Sequence, residues 1–439
     1  MLTCADVCYI KKMIYISIKY LLIIMDIENI TSKSRADLVS ICKINNIKGY
    51  SGKSKADLIV LLYETSNENE TSDENKNNFV YQTMLTCIGN KRKLVSHIRD
   101  IVDEVRTILS KDKLNIVDGF AGSSVVSREL SYLSDNLYTN DMELYSYLMA
   151  YCYLVYPTDH QKERISHHIH RMNEIAENGP YHEGIISKLY APKDSKDIKE
   201  GERCFYTREN ALIIDTLRKY ISEHIETELV NYCLVPLLNK ASINTNTAGV
   251  FKGFYKKGAI GCFGGKGENA LSRITKAIRL DIPIWNPSTY NAFPSNKDIN
   301  VLVNELPNDI DIMYLDPPYN QHPYGSNYFM LNIIAKNEEP IEISTISGIP
   351  TDWTKSNYNK HRTAVLSMGK LMADGLAKST YILISYNNEG IITEGDWKTL
   401  FEQYNVKKYE IKYDTYKGSR NLNERSAKVV EIMYLVSKR

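Results

Sequence analysis

An α/β fold, an open and mostly parallel sheet with helices on both faces, is what this 439-residue chain predicts. Three observations carry it. Short runs rich in Ile, Val, Leu and Tyr recur at 114–121, 136–141, 311–316 and 380–387. Stretches with helical spacing lie between them, 361–378 most clearly. Several runs stop on a glycine, an acid or a proline, as strands do where they leave a sheet. Hydrophobic residues make up 43% and charged residues 24%, as in a globular protein. The net charge of +1 means that any surface for a polyanion is a local patch. The eight cysteines form no CxxC pair, so neither zinc spacing nor a disulfide framework is legible and a reducing compartment is expected.

Taken in chain order, residues 1–24 come first. The apolar run 13–24 follows Lys11 and Lys12 in the manner of a signal peptide, but no small-residue cleavage site comes after it. It is too short to span a bilayer and contains Lys19. An upstream extension or mis-called start is the reading, with a short strand or helix as the other. Residues 26–63 read as a small helical unit: "SRADLVSICKINNI" and "SKADLIVLLY" have helically spaced apolar residues, and Ser34 and Ser54 are candidate N-caps. The basic turn "KGYSGKSK" joins them. The unit resembles a SAP-type module, whose second helix and preceding turn contact DNA; a plain helical hairpin is the other reading. Residues 64–78 are polar and read as a linker, so the main domain is expected over 79–439.

Within that domain, "LNIVDGFA" is a strand entering a glycine turn, "VSRELSYL" a helix and "NLYTND" a second strand. The run "DIMYLD" ends on Asp316, Pro317, Pro318 and Tyr319. Prolines cannot donate to a sheet ladder, so the strand must stop there. Asp316 then stands on a stiff backbone at the carboxyl end of a strand, where open α/β sheets bind ligands. A rigid carboxylate, a free Pro317 carbonyl and the Tyr319 ring suit a planar base bearing an amino group. Alone, the stretch also reads as a strand-ending turn.

An amine on a base is a poor nucleophile because its lone pair is delocalised. Two acceptors holding its hydrogens favour tetrahedral geometry and aim the lone pair at a methyl donor. A donor site is read at "VDGFAGSSVV" (117–126), where Gly122 permits close approach, the next helix offers free N–H groups and Phe120 packs on the ligand. Asp141 ends the next strand about twenty residues on, where an acid binds ribose hydroxyls in nucleoside-binding α/β folds.

From residue 81 to 438 the chain resembles the D12-class, DNA-adenine-methylase-like N6-adenine methyltransferases. "IGNKRKL" (88–94) is similar to the family's first motif, and the resemblance implies that Lys91 reaches the cofactor and target region, with Cys87 where an aromatic usually stands. "FAGSS" resembles the FxGxG turn, with Ser124 in place of the last glycine and a Cβ expected to crowd the cofactor. "TNDMELYS", "RCFYTRENALIIDTLR", "DPPYNQHPYGSNYF", "SYNNEGII" and "YKGSRNLNER" resemble later motifs in the family's α order. The resemblance implies a Rossmann-like sheet and S-adenosylmethionine as cofactor, held by Cys87, Lys91, Asp118, Phe120, Gly122, Asp141, Phe205 and Asp316. It also implies duplex DNA with a flipped adenine as substrate, a cognate restriction endonuclease as candidate partner, and a cytoplasmic or other reducing, DNA-containing compartment. Catalysis falls to Asp316, Pro317, Pro318 and Tyr319.

Specificity is expected from an insertion over about 220–300. Residues 244–279 hold seven basic side chains against one acid, with aromatics and glycines between them. Lys252, Tyr255, Lys256 and Lys257, with Tyr324 and Arg420, are the expected DNA contacts; a solvated charged face is the plainer reading. "FGGKGEN" fails the P-loop frame. His167, His168 and His170 lack metal-ligand spacing and read as a surface helix. Two rival functions stay open: an RNA base amino-methyltransferase, and a catalytically weakened DNA-binding protein.

Overall fold

The structure, a computed structural model, describes residues 34–44, 50–59, 61, 76, 78–81, 85, 89–265, 267–287, 289–414 and 428–439. The expectations for residues 1–24, Cys87 and Arg420 lie outside these. The chain divides into two compact units, Met1–Asn78 and Phe79–Arg439.

In the first unit, helix Arg35–Ile44 and the helical residues 55–59 each start with a reciprocal cap. Ser34 Oγ accepts from the Asp37 N–H and donates to Asp37 Oδ2, and Ser54 does the same with Asp57. Two orphan helix ends are thereby satisfied by the repeated S-x-x-D spacing. Leu38, Cys42 and Leu58 form the small core, and Arg35 Nε donates to the Lys53 carbonyl across the turn.

The second unit is built on a seven-stranded sheet. In chain order the strands are β1 Leu114–Asp118, β2 Ser134–Asn140, β5 Asn291–Ser295, β6 Ile310–Leu315, β7 Ser379–Asn387, β8 Tyr404–Asp414 and β9 Lys428–Lys438; the short β3 Lys256–Lys257 and β4 Ile260–Gly261 pair apart from it. The sheet order is β5-β2-β1-β6-β7-β9-β8, parallel from β5 to β7, with β9 reversed between β7 and β8. This is a Rossmann-like α/β sheet, as expected, and its closing β8–β9 pair is antiparallel.

All six residues of β6 are buried, as a central strand covered on both faces requires. Side chains alternate between the faces: Ile116 and Ile312 meet Val95, Ile98 and Val102 of helix Val95–Ile108 on one side. Val117 and Met313 meet Met368, Leu371 and Met372 of helix His361–Lys378 on the other. The edges are blunted, β5 by Pro294 and β8 by Lys407, Lys408 and Glu410.

Between β2 and β5 the chain builds a helical layer with its own core. Helices Leu144–Leu154, Asp159–Asn178, Arg208–His224 and Val230–Ile243 gather Met149, Ile165, Ile214, Leu234 and Leu238. Within 220–300, where a target-recognition insertion is expected, the elements differ in kind. Helix Val230–Ile243 is core and β5 is sheet, while the exposed basic part is confined to the loops and hairpin after residue 250.

Candidate active site

Strand order brings β1 and β6 together, and the chain leaves them toward opposite halves of the sheet. A crevice opens at the carboxyl ends of such a pair. Here it is a cleft whose empty volume, open solvent included, is about 880 Å³. Its walls include Lys91, Asp118, Phe120, Gly122, Asp141, Asp316, Pro318 and Tyr324.

The glycine turn after β1 is held by the acid after β2. The N–H of Gly122 donates to Asp141 Oδ2 at 2.8 Å, and that of Glu143 donates to Asp141 Oδ1 at 2.9 Å. Gly122 has φ +53°, and a Cβ on it would point into open space. The turn is thus a cradle with a carboxylate at its rim. Phe120 stacks edge-on against Tyr358 at 5.2 Å, which fixes its ring in the wall. Ser124 also has a left-handed backbone, φ +61°, but its side chain is buried and does not line the cleft. The expected crowding of the cofactor is thereby corrected. What the missing glycine leaves is local backbone strain of about 1–2 kcal/mol.

Asp316 follows β6 directly, its side chain 16% exposed at the cleft. The proline turn behind it is pinned: the Tyr319 carbonyl accepts from the Ile391 N–H at 3.0 Å, and the Asn320 carbonyl accepts from Asn359 Nδ2 at 2.8 Å. Lys91 arrives from the segment before helix Val95–Ile108. Its Nζ lies 2.7 Å from Asp316 Oδ1 and 3.1 Å from Glu431 Oε1, with the side chain only 4% exposed. Gly89, φ +76°, allows this approach, because a Cβ there would meet the Tyr319 hydroxyl at 2.8 Å.

Carboxylates dominate the electrostatics. Burial pushes Asp118 up to about 7, opposed by the Ser127 hydroxyl that donates to its Oδ2. Burial also raises Asp141 to about 6, against the N–H groups of Glu143 and Gly122. Glu143 rises to about 8 through burial and its neighbour Asp141. Asp316 rises to about 6 through burial and Glu431, with Lys91 opposing. Burial alone acts to lower the Lys91 ammonium, but Asp316 and Glu431 outweigh it and hold it well above the usual lysine range. Asp118, Asp141, Glu143 and Asp316 line the cleft, and the one lysine there, Lys91, is already paired with Asp316 and Glu431, so the site suits a cationic ligand.

Some expected residues stand elsewhere. Phe205 is fully buried among Tyr190, Phe251, Phe254 and Phe329 and does not line the cleft, so its expected place beside a cofactor is corrected. The sequence does not separate a ligand-facing phenyl from a core one. Pro317 is buried between Asp316 and Pro318, both in the cleft wall, and Tyr319 is half-buried outside the lining with its ring edge-on to Tyr386. Tyr324 lies in the cleft, stacked on Tyr328, and not on the basic surface. Lys252, Lys256 and Lys257 are exposed and Tyr255 half-buried, all away from the cleft.

Sequence reasoning missed Glu143, Glu431 and the segment supplying Thr354, Ser356 and Asn359. Glu143 had a faint signal, an acid two residues after Asp141. Glu431 had none, standing as one charged position in an alternating strand.

A family model described as D12 class N6 adenine-specific DNA methyltransferase matches residues 88–400. The chain is 29% identical over 322 residues to the Type II methyltransferase M.CviAII of Paramecium bursaria Chlorella virus 1, covering 72% of this chain and 87% of that one. It is 27% identical over 364 residues to the Type II methyltransferase M.NlaIII of Neisseria lactamica, covering 81% and 99%. With modification methylase StsI of Streptococcus sanguinis the identity is 27% over 370 residues, covering 80% of this chain and 52% of that one. Among the described residues no helix is long and apolar enough to cross a membrane. A carboxylate at a proline-locked strand tip, a glycine cradle and a rim acid thus share one cleft, and the chain belongs to the D12 class of N6 adenine-specific DNA methyltransferases.

Proposed function

We propose that the cleft binds S-adenosylmethionine together with an adenine flipped out of duplex DNA, and that Asp316 directs methyl transfer to the N6 amine. The observation that carries the reading is the meeting of Asp316, Gly122 and Asp141 in one cleft. The fit to the cofactor rests on the surplus of carboxylates around a site for a cation, on the open space over Gly122, and on Asp141 at the rim, where it accepts ribose hydroxyls. Phe120, Asp118 and Lys91 line the same space. When bound, S-adenosylmethionine supplies an electrophilic methyl group on its sulfonium.

The chain's own residues do the rest. The Asp316 carboxylate and the Pro317 carbonyl accept the two amino hydrogens, drawing the lone pair out of the ring and toward the methyl. Pro317 and Pro318 hold these acceptors rigid, so little reorganisation accompanies reaction. Tyr319 and Tyr324 provide rings for an extruded base. Lys252, Lys256 and Lys257, with Tyr255, form the phosphate-facing surface and part of target recognition. A restriction endonuclease with the same site is the proposed partner in the cell.

Asp316→Asn tests the reading. Methyl incorporation into duplex DNA should fall at least about 10²-fold, the scale for one preorganised polar group. The variant should melt as the parent does and still bind S-adenosylmethionine by calorimetry. A folded variant with near-parental methylation overturns it, as would absence of any binding heat in the parent.

A further inference from the structure

We propose that Glu431 is a positioning residue of the active site, acting through Lys91 on the charge and availability of the Asp316 carboxylate. The inference rests on the role of Asp316 proposed above and extends it to the C-terminal strand.

Glu431 sits on β9, opposite Asn387 of β7, and is 1% exposed. Its Oε1 lies 3.1 Å from Lys91 Nζ and accepts from Ser385 Oγ at 2.7 Å. The same ammonium is 2.7 Å from Asp316 Oδ1. One buried cation is therefore shared by a buried carboxylate, Glu431, and one open to the cleft, Asp316, and the trio carries an excess negative charge. A buried ion cluster is a poor source of stability, because desolvation offsets most of its attraction. A fully buried Glu between Val430 and Ile432 on β9 calls for another reason.

The reason is competition for Lys91. With one carboxylate and one ammonium, Asp316 would be closed in a tight pair, its lone pairs turned to Nζ. Glu431 gives the ammonium a second anchor. Asp316 is then less tightly closed on the ammonium and can accept an amino hydrogen, while Lys91 remains placed beside Tyr319, 5.3 Å from that ring. The groups facing Asp316 are Lys91 from the segment before the first long helix, Glu431 from β9, Asp118 from β1 and Tyr314 from β6. Burial and Glu431 hold Asp316 up at about 6, and Lys91 acts against them. Neutralising Glu431 removes a raising influence, so Asp316 must then ionise at lower pH.

The experiment uses the full chain and Glu431→Gln, which keeps shape and the Ser385 contact but removes the charge. Methylation of duplex DNA is followed against pH, and the carboxyl titration of the cofactor-free protein by 13C NMR. The Asp316 signal is identified by its loss in Asp316→Asn. The rate on the pH plateau should fall about 10-fold, the scale of one charged hydrogen-bond partner. The acid limb of the rate profile and the Asp316 titration should both move to lower pH. Glu431→Asp, which keeps the charge, should hold the parental limb. A folded Glu431→Gln with parental rate and parental limb overturns the inference and leaves a purely structural ion pair. Should Glu431→Gln fail to fold, a shifted limb in Glu431→Asp overturns it instead. If Asp316→Asn methylates like the parent, the functional reading fails first and this inference falls with it; if Asp316→Asn is inactive and only the Glu431 outcomes fail, the functional reading stands.

Discussion

Asp118 and Glu143 are carboxyls that the fold holds partly protonated, at about 7 and about 8, because burial penalises their charge. The folded state therefore keeps protons that the unfolded chain releases. A group raised in this way adds stability at acid pH and loses it as pH climbs through its folded value. The cofactor-free protein should accordingly lose stability progressively between about pH 4 and 8. Urea melts at stepped pH measure this. Asp118→Asn should flatten the curve and weaken S-adenosylmethionine binding. A parental slope in that variant would clear Asp118 of the effect. At the same scale, Gly325 abuts the backbone of Thr354, where a Cβ would come within 2.5 Å of the carbonyl oxygen and 3.1 Å of Glu143 Oε1. Gly325→Ala should destabilise by about 1–3 kcal/mol, as overpacking does, and reduce methylation by moving the Thr354 wall. Calorimetric melting and a rate assay check it.

Among the elements, the central pair β1 and β6 has a lock at its entering end. Asp311 accepts from Lys111 Nζ at 2.6 Å and from the Asn115 N–H at 2.8 Å. Because Asp311 is buried, its removal leaves the Asn115 N–H without this partner. Asp311→Ala should cost about 1–3 kcal/mol in a denaturant melt, well above a surface pair. The hairpin of β3 and β4 differs in kind: its lysines are exposed and serve no core. Lys256→Ala with Lys257→Ala should leave melting unchanged. It should weaken DNA binding across all sequences and lower the salt slope by about 2, near one for each phosphate no longer neutralised. Binding isotherms at several salt concentrations decide it, and an unchanged slope would remove the hairpin from the interface.

For the whole molecule, the unit Phe79–Arg439 contains both faces of the sheet, the helical layer and the cleft, while Leu38, Cys42 and Leu58 form a separate small core in Met1–Asn78. A chain starting at Phe79 should therefore fold cooperatively and retain the cofactor site, measured by S-adenosylmethionine calorimetry and circular-dichroism melting. Loss of cooperative melting would show that the first unit is needed for the second.

Much of the sheet was legible because its rules are local. Two prolines must end β6, a glycine turn must follow β1, and an acid at the end of β2 must stand near that turn. Strand alternation by itself sends Ile116 and Val117 into opposite layers. The capping serines at 34 and 54 were legible for the same reason, since a cap reaches only three residues. Long-range assignments fared differently. Phe205 went to the core, and helix Val230–Ile243, inside the region where a target-recognition insertion is expected, is core as well. Sequence alone thus placed the chemistry of the strand tips and the order of the elements. Only the tertiary structure decided which charges share a cation, since β9 inserts in reverse between β7 and β8 and carries Glu431 to Lys91 and Asp316. The physical reason is that propensity and turn chemistry act over a few residues, whereas Coulomb interaction and desolvation depend on distances in space that strand order alone creates.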